Sequence, residues 1–110
     1  MILGIDLGTS MVKATAFSID GRCLGSAARR TVLNYLGAGR VEQDYELLVQ
    51  SVGAVVREVV ASTGQTPIAI GITGQSDGLW LVDDKGHATQ AAVSWLDDRG
   101  NPYLKNWIDN

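Results

Sequence analysis

A short turn near the start of the chain brings together residue types that can bind a phosphorylated ligand. An apolar segment ends at Asp6, the next apolar segment carries Lys13, and the turn between them contains Gly8, Thr9 and Ser10. Carboxylate oxygens suit Mg²⁺, and the N–H groups of a glycine turn can point at phosphate oxygens. We therefore predict that this turn binds a polyphosphate with its metal ion, Asp6 serving the metal and Lys13 balancing the charge.

The same turn has a simpler interpretation. A hairpin can use glycine and threonine for shape alone, and backbone N–H groups can satisfy Asp6. The two interpretations differ in one observable feature, because an Asp6 turned into the interior would leave no room for a phosphoryl group beside Thr9.

A second polar segment follows the apolar run Ile68–Thr73. It places Gln75, Ser76 and Asp77 between two glycines. We predict that the run is a buried strand parallel to the first, so that the loop lies at the carboxyl end of the sheet, where open α/β sheets bind ligands. The three side chains could hydrogen-bond vicinal hydroxyls. The alternative is a solvated turn with no ligand.

A third segment, Ser94–Arg99, combines an aromatic residue with two charges. Trp95 could form an apolar wall for the carbon face of a sugar or polyol. Asp97 and Arg99 could hydrogen-bond hydroxyls or pair with each other. The alternative is a core tryptophan beside a surface ion pair.

Composition narrows the class of protein. The 110 residues suffice for one small domain, and a net charge of −3 argues against a nucleic-acid partner. Cys23 is the single cysteine, which rules out an internal disulfide framework and suits a reducing cytoplasm. His87 is the single histidine, which argues against a histidine metal cluster or a Ser-His-Asp triad. No apolar run is long enough to span a bilayer, so we expect no membrane partner.

Three strands are predicted before the first helix. They are Ile2–Leu7, Met11–Ile19 and a strand from Arg22 to about Leu33. Asp20-Gly21 separates the last two and is typical of a two-residue hairpin with a primed turn, since both residues tolerate positive φ.

A helix is predicted after the loop Leu36–Gly39. Asp44 can cap it, and Gly64 can end it. Its apolar residues recur at helical spacing, and they are Leu48, Val52, Val55 and Val59.

Further strands are predicted at Ile68–Thr73, Leu79–Val82 and Ala91–Trp95. A helix between strands usually connects parallel neighbours, so these elements indicate an α/β layer with a mixed sheet. A final helix at Tyr103–Asn110 has barely shown its apolar face when the chain ends, which predicts a piece of a longer protein.

Four segments, in this order, resemble the amino-terminal part of the FGGY carbohydrate kinases, which phosphorylate glycerol, xylulose, ribulose, gluconate, erythritol and related compounds. The segments are Asp6–Ser10 with Lys13, Arg40–Asp44, Gly71–Gln75 followed by Ser-Asp-Gly, and Ala92–Arg99. The resemblance covers nearly the whole chain.

The resemblance implies a ribonuclease-H-like, actin-like ATPase fold, with a mixed sheet and flanking helices. Residues 1–110 would be the amino-terminal portion of the first of two such domains, with the rest of that domain and the second domain absent. The family's activity is in-line transfer of the γ-phosphoryl group of ATP to a hydroxyl, with Mg²⁺. The aspartate that acts as general base lies in a later segment of family members, so no catalytic residue is expected here, and the fragment alone should be inactive.

The resemblance also implies roles for single residues. Asp6 would act through the magnesium ion, and Thr9, Ser10 and Lys13 would face the transferred phosphate and its neighbour. Trp95 and Asp97 match the tryptophan and the acidic position near the substrate.

The pair Ser76-Asp77 falls where family members place two residues that discriminate substrates. That pair is Arg-Glu in glycerol kinases and Met-His in xylulose kinases, and Ser-Asp matches neither. The sequence is more similar to branches that act on erythritol or on keto-sugars such as L-xylulose.

Two alternatives remain at this point. The Asp-x-Gly-Thr hairpin is shared with other actin-like ATPases, such as acetate kinase, and only the later segments separate them. A short non-enzymatic protein that binds nucleotide or self-associates as a homo-oligomer is the second alternative.

Overall fold

The computed structural model describes residues 1–109, which form two compact units. The first unit comprises residues 1–32 and 46–75, and the second comprises residues 33–45 and 76–109. In chain order the elements are β1 (Ile2–Leu7), β2 (Met11–Phe17), β3 (Cys23–Arg30), β4 (Leu33–Gly37), β5 (Arg40–Gln43), α1 (Tyr45–Thr63), β6 (Ala69–Gly74), β7 (Ala92–Val93) and α2 (Asn101–Ile108).

The first unit contains a four-stranded mixed sheet in the order β3-β2-β1-β6. The first three strands form the predicted antiparallel meander, and β6 runs parallel to β1, also as predicted. The parallel pair follows from the crossover through α1, since a helix spans the distance that a tight turn cannot.

The core of this unit lies between one face of the sheet and α1. Leu3, Val12 and Ala14 are fully buried on that face, and Val55 and Val59 are buried on the helix. A Cβ at Gly25 of β3 would lie 3.3 Å from the Ser62 hydroxyl oxygen of α1, so the end of the helix packs closely against this face. The predicted helical stripe is confirmed, with Leu48, Val55 and Val59 buried and Val52 half-buried.

The ends of α1 also agree with the sequence. The helix begins at Tyr45, directly after Asp44. It ends at Thr63, where Gly64 has φ +63° and donates its N–H to the Val60 carbonyl at 2.9 Å. A left-handed glycine closes a helix in this way because it lacks the Cβ that would clash.

The predicted burial of the strand at residues 68–73 is wrong. All six residues of β6 are exposed, with 71% of Ile72 accessible. The physical reason is that, among residues 1–109, β6 pairs only with β1 and so lies at the edge of the four-stranded sheet. The run of isoleucines therefore predicted the strand correctly but did not predict its exposure to solvent.

The loop between β2 and β3 is longer than predicted. β2 ends at Phe17, two residues before Ile19. The Ser18 N–H donates to the Arg22 carbonyl at 2.9 Å, and the Gly21 N–H donates to the Ser18 carbonyl at 3.0 Å. Gly21 has φ +86°, but Asp20 is not in the left-handed region, so the loop has three residues and is not a primed two-residue turn.

The long strand predicted from Arg22 to Leu33 is two strands. β3 ends at Arg30, and the Thr31 N–H donates to the Ser10 carbonyl at 3.1 Å. This bond continues the pairing of β2 and β3 by one residue, to Ser10 of the glycine turn, and β4 then begins at Leu33 as part of a different sheet.

The second unit contains a three-stranded sheet in the order β4-β5-β7, which the sequence did not predict. The loop predicted at Leu36–Gly39 is shorter than expected, because Leu36 and Gly37 belong to β4, and only Ala38 and Gly39 form the turn into β5. The reversal is tight enough that Gly37, Ala38 and Gly39 all have positive φ.

The later strands are shorter than predicted. The segment Leu79–Val82 forms only isolated bridges, Leu79 to Val93 and Val82 to Ala88. The strand predicted at Ala91–Trp95 is reduced to the two residues of β7. The turn after Val82 is present, with the Asp83 N–H bonded to the His87 carbonyl at 2.9 Å.

The predicted final helix is present as α2. The described part of its apolar face is exposed, and this face consists of Tyr103, Leu104, Trp107 and Ile108. Among residues 1–109, neither helix is long and apolar enough to cross a membrane. Asn110, the last residue of the predicted helix, lies outside the described residues.

Candidate functional site

The glycine turn between β1 and β2 is closed by one backbone bond. The Gly8 N–H donates to the Met11 carbonyl at 3.0 Å, leaving Thr9 and Ser10 at the tip. A Cβ at Gly8 would lie 2.8 Å from the Met11 oxygen, closer than real Cβ atoms approach. Only glycine therefore allows the turn to be this tight.

Asp6 and Lys13 lie directly opposite each other on β1 and β2. Thr73 of β6 is the partner of Asp6 on its other side, so the three side chains share the sheet face opposite α1. Both charged residues are exposed. Asp6 is therefore not turned into the interior, which was the feature that would have removed the phosphate interpretation.

This face forms an open concavity of about 510 Å³. Its floor contains Gly4 and Gly71, which are register partners without side chains, and Phe17 lines it at the β2 end. The concavity is lined by Gly4, Ile5, Asp6, Lys13, Thr15, Phe17, Gly71, Ile72 and Thr73.

Asp6 and Lys13 do not form an ion pair with each other. Within the described part of the chain, none of the ion pairs includes either residue. A carboxylate and an ammonium group held on adjacent strands, both open to solvent, can bind an external cation and an external anion.

A side-chain bond joins the glycine turn to the second polar segment. The Thr9 hydroxyl donates to the Gln75 side-chain oxygen at 3.2 Å, and the Gln75 N–H donates to the Leu7 carbonyl at 3.1 Å. Gln75 therefore belongs to the first unit and faces the glycine turn, whereas Ser76 and Asp77 belong to the second unit.

The loop of Ser76 and Asp77 has an unusual backbone. Asp77 has φ +63°, a left-handed conformation that aspartate tolerates better than most residues. The following Gly78 is also constrained, since a Cβ there would lie 2.7 Å from Trp80 Nε1 and 3.0 Å from the Val93 carbonyl oxygen.

The strand pairing of the second unit brings two of the predicted substrate residues, Asp77 and Trp95, to one end. Leu79 and Val93 bond reciprocally, at 2.9 and 3.0 Å, as an antiparallel bridge. Asp77 lies two residues before Leu79, and Trp95 lies two residues after Val93. Because the two segments are antiparallel, both residues lie at the same end of the bridge. Trp95 is about half exposed and is not the core tryptophan of the alternative interpretation.

Asp97 is held by four hydrogen bonds. Its carboxylate accepts the Val41 N–H at 2.7 Å, the Arg99 N–H at 3.0 Å, and Arg99 Nε and Nη2 at 2.7 Å each. Only 1% of its side chain is accessible. The bonds from Arg99, and then the Val41 N–H, stabilise the charged form and hold the pKa of Asp97 well below its ordinary value.

Arg99 also bonds to a residue of β5. Its Nη2 donates to Glu42 Oε1 at 2.8 Å, and Arg40 Nη2 lies 3.3 Å from the same oxygen. The Arg99 contact is the main reason that the pKa of Glu42 is lowered, while Asp97 and then Glu42 raise the pKa of Arg99. Asp97 and Arg99 thus pair with each other, the outcome left open by the sequence.

Sequence reasoning missed two of these residues. Glu42 lies within the segment Arg40–Asp44 of the family resemblance, but no local pattern joins it to Arg99, 57 residues away. Thr73 could have been found, because a strand parallel to Ile2–Leu7 and of equal length places Thr73 beside Asp6.

The metal prediction depends on one carboxylate. Among residues 1–109 there is no group of three or more histidine, cysteine, aspartate or glutamate side chains that could hold a metal ion. The single carboxylate of Asp6 is compatible with Mg²⁺, because proteins usually hold this ion by one or two carboxylates, with substrate phosphates and water as the other ligands.

Comparison with known proteins agrees with the resemblance seen in the sequence. Residues 1–110 match the family model of the FGGY family of carbohydrate kinases, N-terminal domain. The chain is 38% identical to erythritol kinase of Brucella abortus over 102 residues, which are 90% of this chain and 20% of that protein. It is 35% identical to glycerol kinase of Agrobacterium fabrum over 109 residues, which are 96% of this chain and 22% of that protein.

Solved structures share the fold. Gluconate kinase from Lactobacillus acidophilus superposes with a TM-score of 0.91 at 19% identity, covering 98% of this chain and 22% of that one. Plasmodium falciparum glycerol kinase with ADP gives 0.89 at 21% identity, covering 99% of this chain and 23% of that one. The predicted α/β fold with a mixed sheet is confirmed, and the chain spans about a fifth of the length of these proteins. The chain therefore belongs to the FGGY family of carbohydrate kinases.

Proposed function

We propose that the protein carrying this chain transfers the γ-phosphoryl group of ATP to a hydroxyl of a small sugar or polyol. The observation that carries the proposal is the pair of Asp6 and Lys13, exposed and unpaired with each other on adjacent strands beside the glycine turn. Membership of a carbohydrate kinase family supports it. The matched relatives include kinases of erythritol, xylulose and glycerol.

The residues present fit a nucleotide with its magnesium ion. Gly8 permits a turn that a Cβ would block, Asp6 offers an exposed carboxylate, and Lys13 offers a positive charge across from it. Asp6 would hold Mg²⁺ directly or through water, and Thr9, Ser10 and Lys13 would bind phosphate oxygens. When bound, the metal ion supplies neutralisation of the charge on the transferred phosphoryl group.

The substrate would be bound by the second unit. Ser76 and Asp77 are exposed and offer hydrogen bonds to vicinal hydroxyls, while half-exposed Trp95 offers an apolar wall. Asp97 contributes through Arg99, because its own oxygens are already occupied. Gln75 lies beside Thr9 in the first unit, and we propose it as a further hydrogen-bonding residue.

Residues 1–110 would be the amino-terminal portion of the first actin-like domain, and the rest of the kinase would supply the general base that accepts the hydroxyl proton. The 110-residue chain alone would then bind parts of both ligands without turnover. A cytoplasmic location agrees with one unpaired cysteine and a need for ATP.

A coupled assay of the whole protein with ATP, Mg²⁺ and a panel of tetritols, glycerol and ketopentoses tests the proposal. We expect phosphorylation of at least one substrate, and a large loss of kcat/KM in Lys13→Ala at unchanged Tm. Absence of phosphorylation across the panel would contradict the proposal. Turnover by the 110-residue chain alone would contradict the assignment of the general base.

A second candidate is self-association of the 110-residue chain. It is favoured by the exposed isoleucines along the edge strand β6 and by the exposed apolar face of α2. Sedimentation velocity of the chain across a concentration series tests it, and a monomer at every concentration would remove it.

A further inference from the structure

The Arg99 guanidinium is held on two sides and open on the third. Its Nε and Nη2 bond to Asp97, and Nη2 also bonds to Glu42. No hydrogen bond of the described residues uses Nη1, and 37% of the side chain is accessible. Nη1 thus retains two N–H groups in a fixed direction, since the other two nitrogens are anchored.

Asp97 cannot make the contact to a ligand itself. Only 1% of its side chain is accessible, and both carboxylate oxygens accept bonds from Val41 or Arg99. Moving this carboxylate towards a substrate would leave the Val41 N–H without its partner. Asp97 therefore acts through Arg99.

Glu42 supplies the second anchor. It is 18% accessible and accepts Arg99 Nη2 at 2.8 Å. It lies opposite Val93 across β5 and β7, and Val93 also forms the bridge to Leu79 that leads into the loop of Asp77. Glu42 thus ties Arg99 to the same strands that present Trp95 and Asp77.

The charges around Arg99 do not favour an anionic ligand. Arg99 and Arg40 are opposed by the carboxylates of Glu42 and Asp97. Asp98, the residue directly before Arg99, adds a third acidic group, so the acidic groups near Arg99 outnumber the basic ones. An N–H donor in such a field suits a neutral oxygen acceptor, because a second carboxylate would meet like charge.

We propose that Glu42 is a positioning residue which, with Asp97, aims Arg99 Nη1 at a hydroxyl or keto oxygen of a neutral substrate, and that these carboxylates select against sugar acids. This inference rests on the proposed kinase function. It adds Glu42 to the residues that position the substrate-binding groups, and it restricts the substrate to neutral compounds.

The first test is Glu42→Gln in the whole protein. The change weakens the charge-assisted hydrogen bond between Glu42 and Arg99, and we expect KM for the polyol or ketose to rise about tenfold. KM for ATP should be unchanged. Glu58→Gln is the matched control, because Glu58 pairs with Arg29 on the surface of the first unit and should change neither KM. An unchanged substrate KM in a folded Glu42→Gln protein, or an equal rise in both KM values, overturns the positioning role.

The second test uses the unmodified protein, so it does not depend on the folding of a variant. Matched pairs of a polyol or ketose and the aldonic acid of equal chain length are compared by kcat/KM. We expect the neutral member to be preferred at least about tenfold. A preference for the aldonate, or equal use of both, overturns the selection.

The outcomes separate this inference from the proposed function. If the unmodified protein phosphorylates no compound of either class, the kinase proposal fails and this inference fails with it. If it phosphorylates a sugar acid best, the kinase proposal stands and only the inference fails. Arg99→Lys gives an independent check, since one ammonium cannot satisfy both carboxylates and still present a directed donor, and retention of the substrate KM in that variant would contradict the role of Nη1.

Discussion

The two polar centres of this chain use the same kinds of charge in opposite ways. In the first unit, Asp6 and Lys13 face each other across two strands without forming an ion pair. In the second unit, Asp97, Arg99 and Glu42 are joined by bonds of 2.7 to 2.8 Å. The difference is whether the protein itself satisfies the charge.

Each arrangement suits a different task. An exposed charge without a protein partner contributes little to folding and remains available to a ligand that comes and goes. A carboxylate that is buried and fully hydrogen-bonded is costly to disturb, so it fixes the position of its partner. We infer that the first centre binds an exchangeable ion and phosphate, while the second holds a donor in place.

The largest expected effect is that of Asp6→Asn in the whole protein. Loss of the charge that would hold the metal ion should lower kcat/KM by about 10²–10³, a typical effect of removing one group that stabilises the transition state. The Tm should not fall, because Asp6 takes part in no ion pair of residues 1–109. Asp20→Asn, in an exposed hairpin loop, is the control. A large drop in Tm with Asp6→Asn would show that its charge is structural and would break the comparison.

Asp97→Asn, unlike Asp6→Asn, should lower the thermal stability of the protein. An amide keeps one acceptor oxygen but places an NH₂ group where Arg99 or Val41 now donates, so a buried bond is lost. We expect the Tm to fall by several degrees, as measured by differential scanning calorimetry. Asp84→Asn, in an exposed turn of the same unit, should leave it unchanged. An unaltered Tm in Asp97→Asn would show that the hydrogen bonds of Asp97 do not stabilise the fold.

Acid should weaken the second centre. The pKa values of Asp97 and Glu42 lie below their ordinary values of 3.8 and 4.5, chiefly because Arg99 bonds to their ionised forms. The folded protein then binds fewer protons than the unfolded chain, so the stabilisation is complete above about pH 4.5 and declines as the pH falls. Thermal unfolding of the whole protein at a series of pH values checks this. The decline should be shallower in Asp97→Asn, and an equal slope in both proteins would contradict the assignment.

The smallest expected effect concerns the turn that supports β5. Gly39 has φ +71°, and a Cβ there would overlap the Asp98 carboxylate, whereas Gly37 has φ +80° with open space around it. Each alanine meets a left-handed penalty of roughly 1–2 kcal/mol. Gly39→Ala should lower the free energy of unfolding more than Gly37→Ala, because Asp98 must also move. Equal losses in urea denaturation would show that the contact with Asp98 adds nothing.

Local patterns predicted the parts of this chain that depend on neighbouring residues. The strand Ile2–Leu7 has the predicted bounds, and the stripe of α1 follows the spacing of its valines. The glycine turn followed from Gly8, because a tight turn needs a residue without a Cβ where the backbone approaches the Met11 carbonyl. The parallel pairing of β1 and β6 followed from the helix between them.

The tertiary structure alone decided which groups meet across long separations. Glu42 bonds to Arg99, Thr9 bonds to Gln75, and Asp97 bonds to the Val41 N–H, at separations of 57, 66 and 56 residues. It also decided that β6 is an exposed edge, although its residues are those of a buried strand. The physical reason is that periodicity and turn chemistry act over a few residues, whereas the partner of a charge and the cover of a strand depend on register between distant segments.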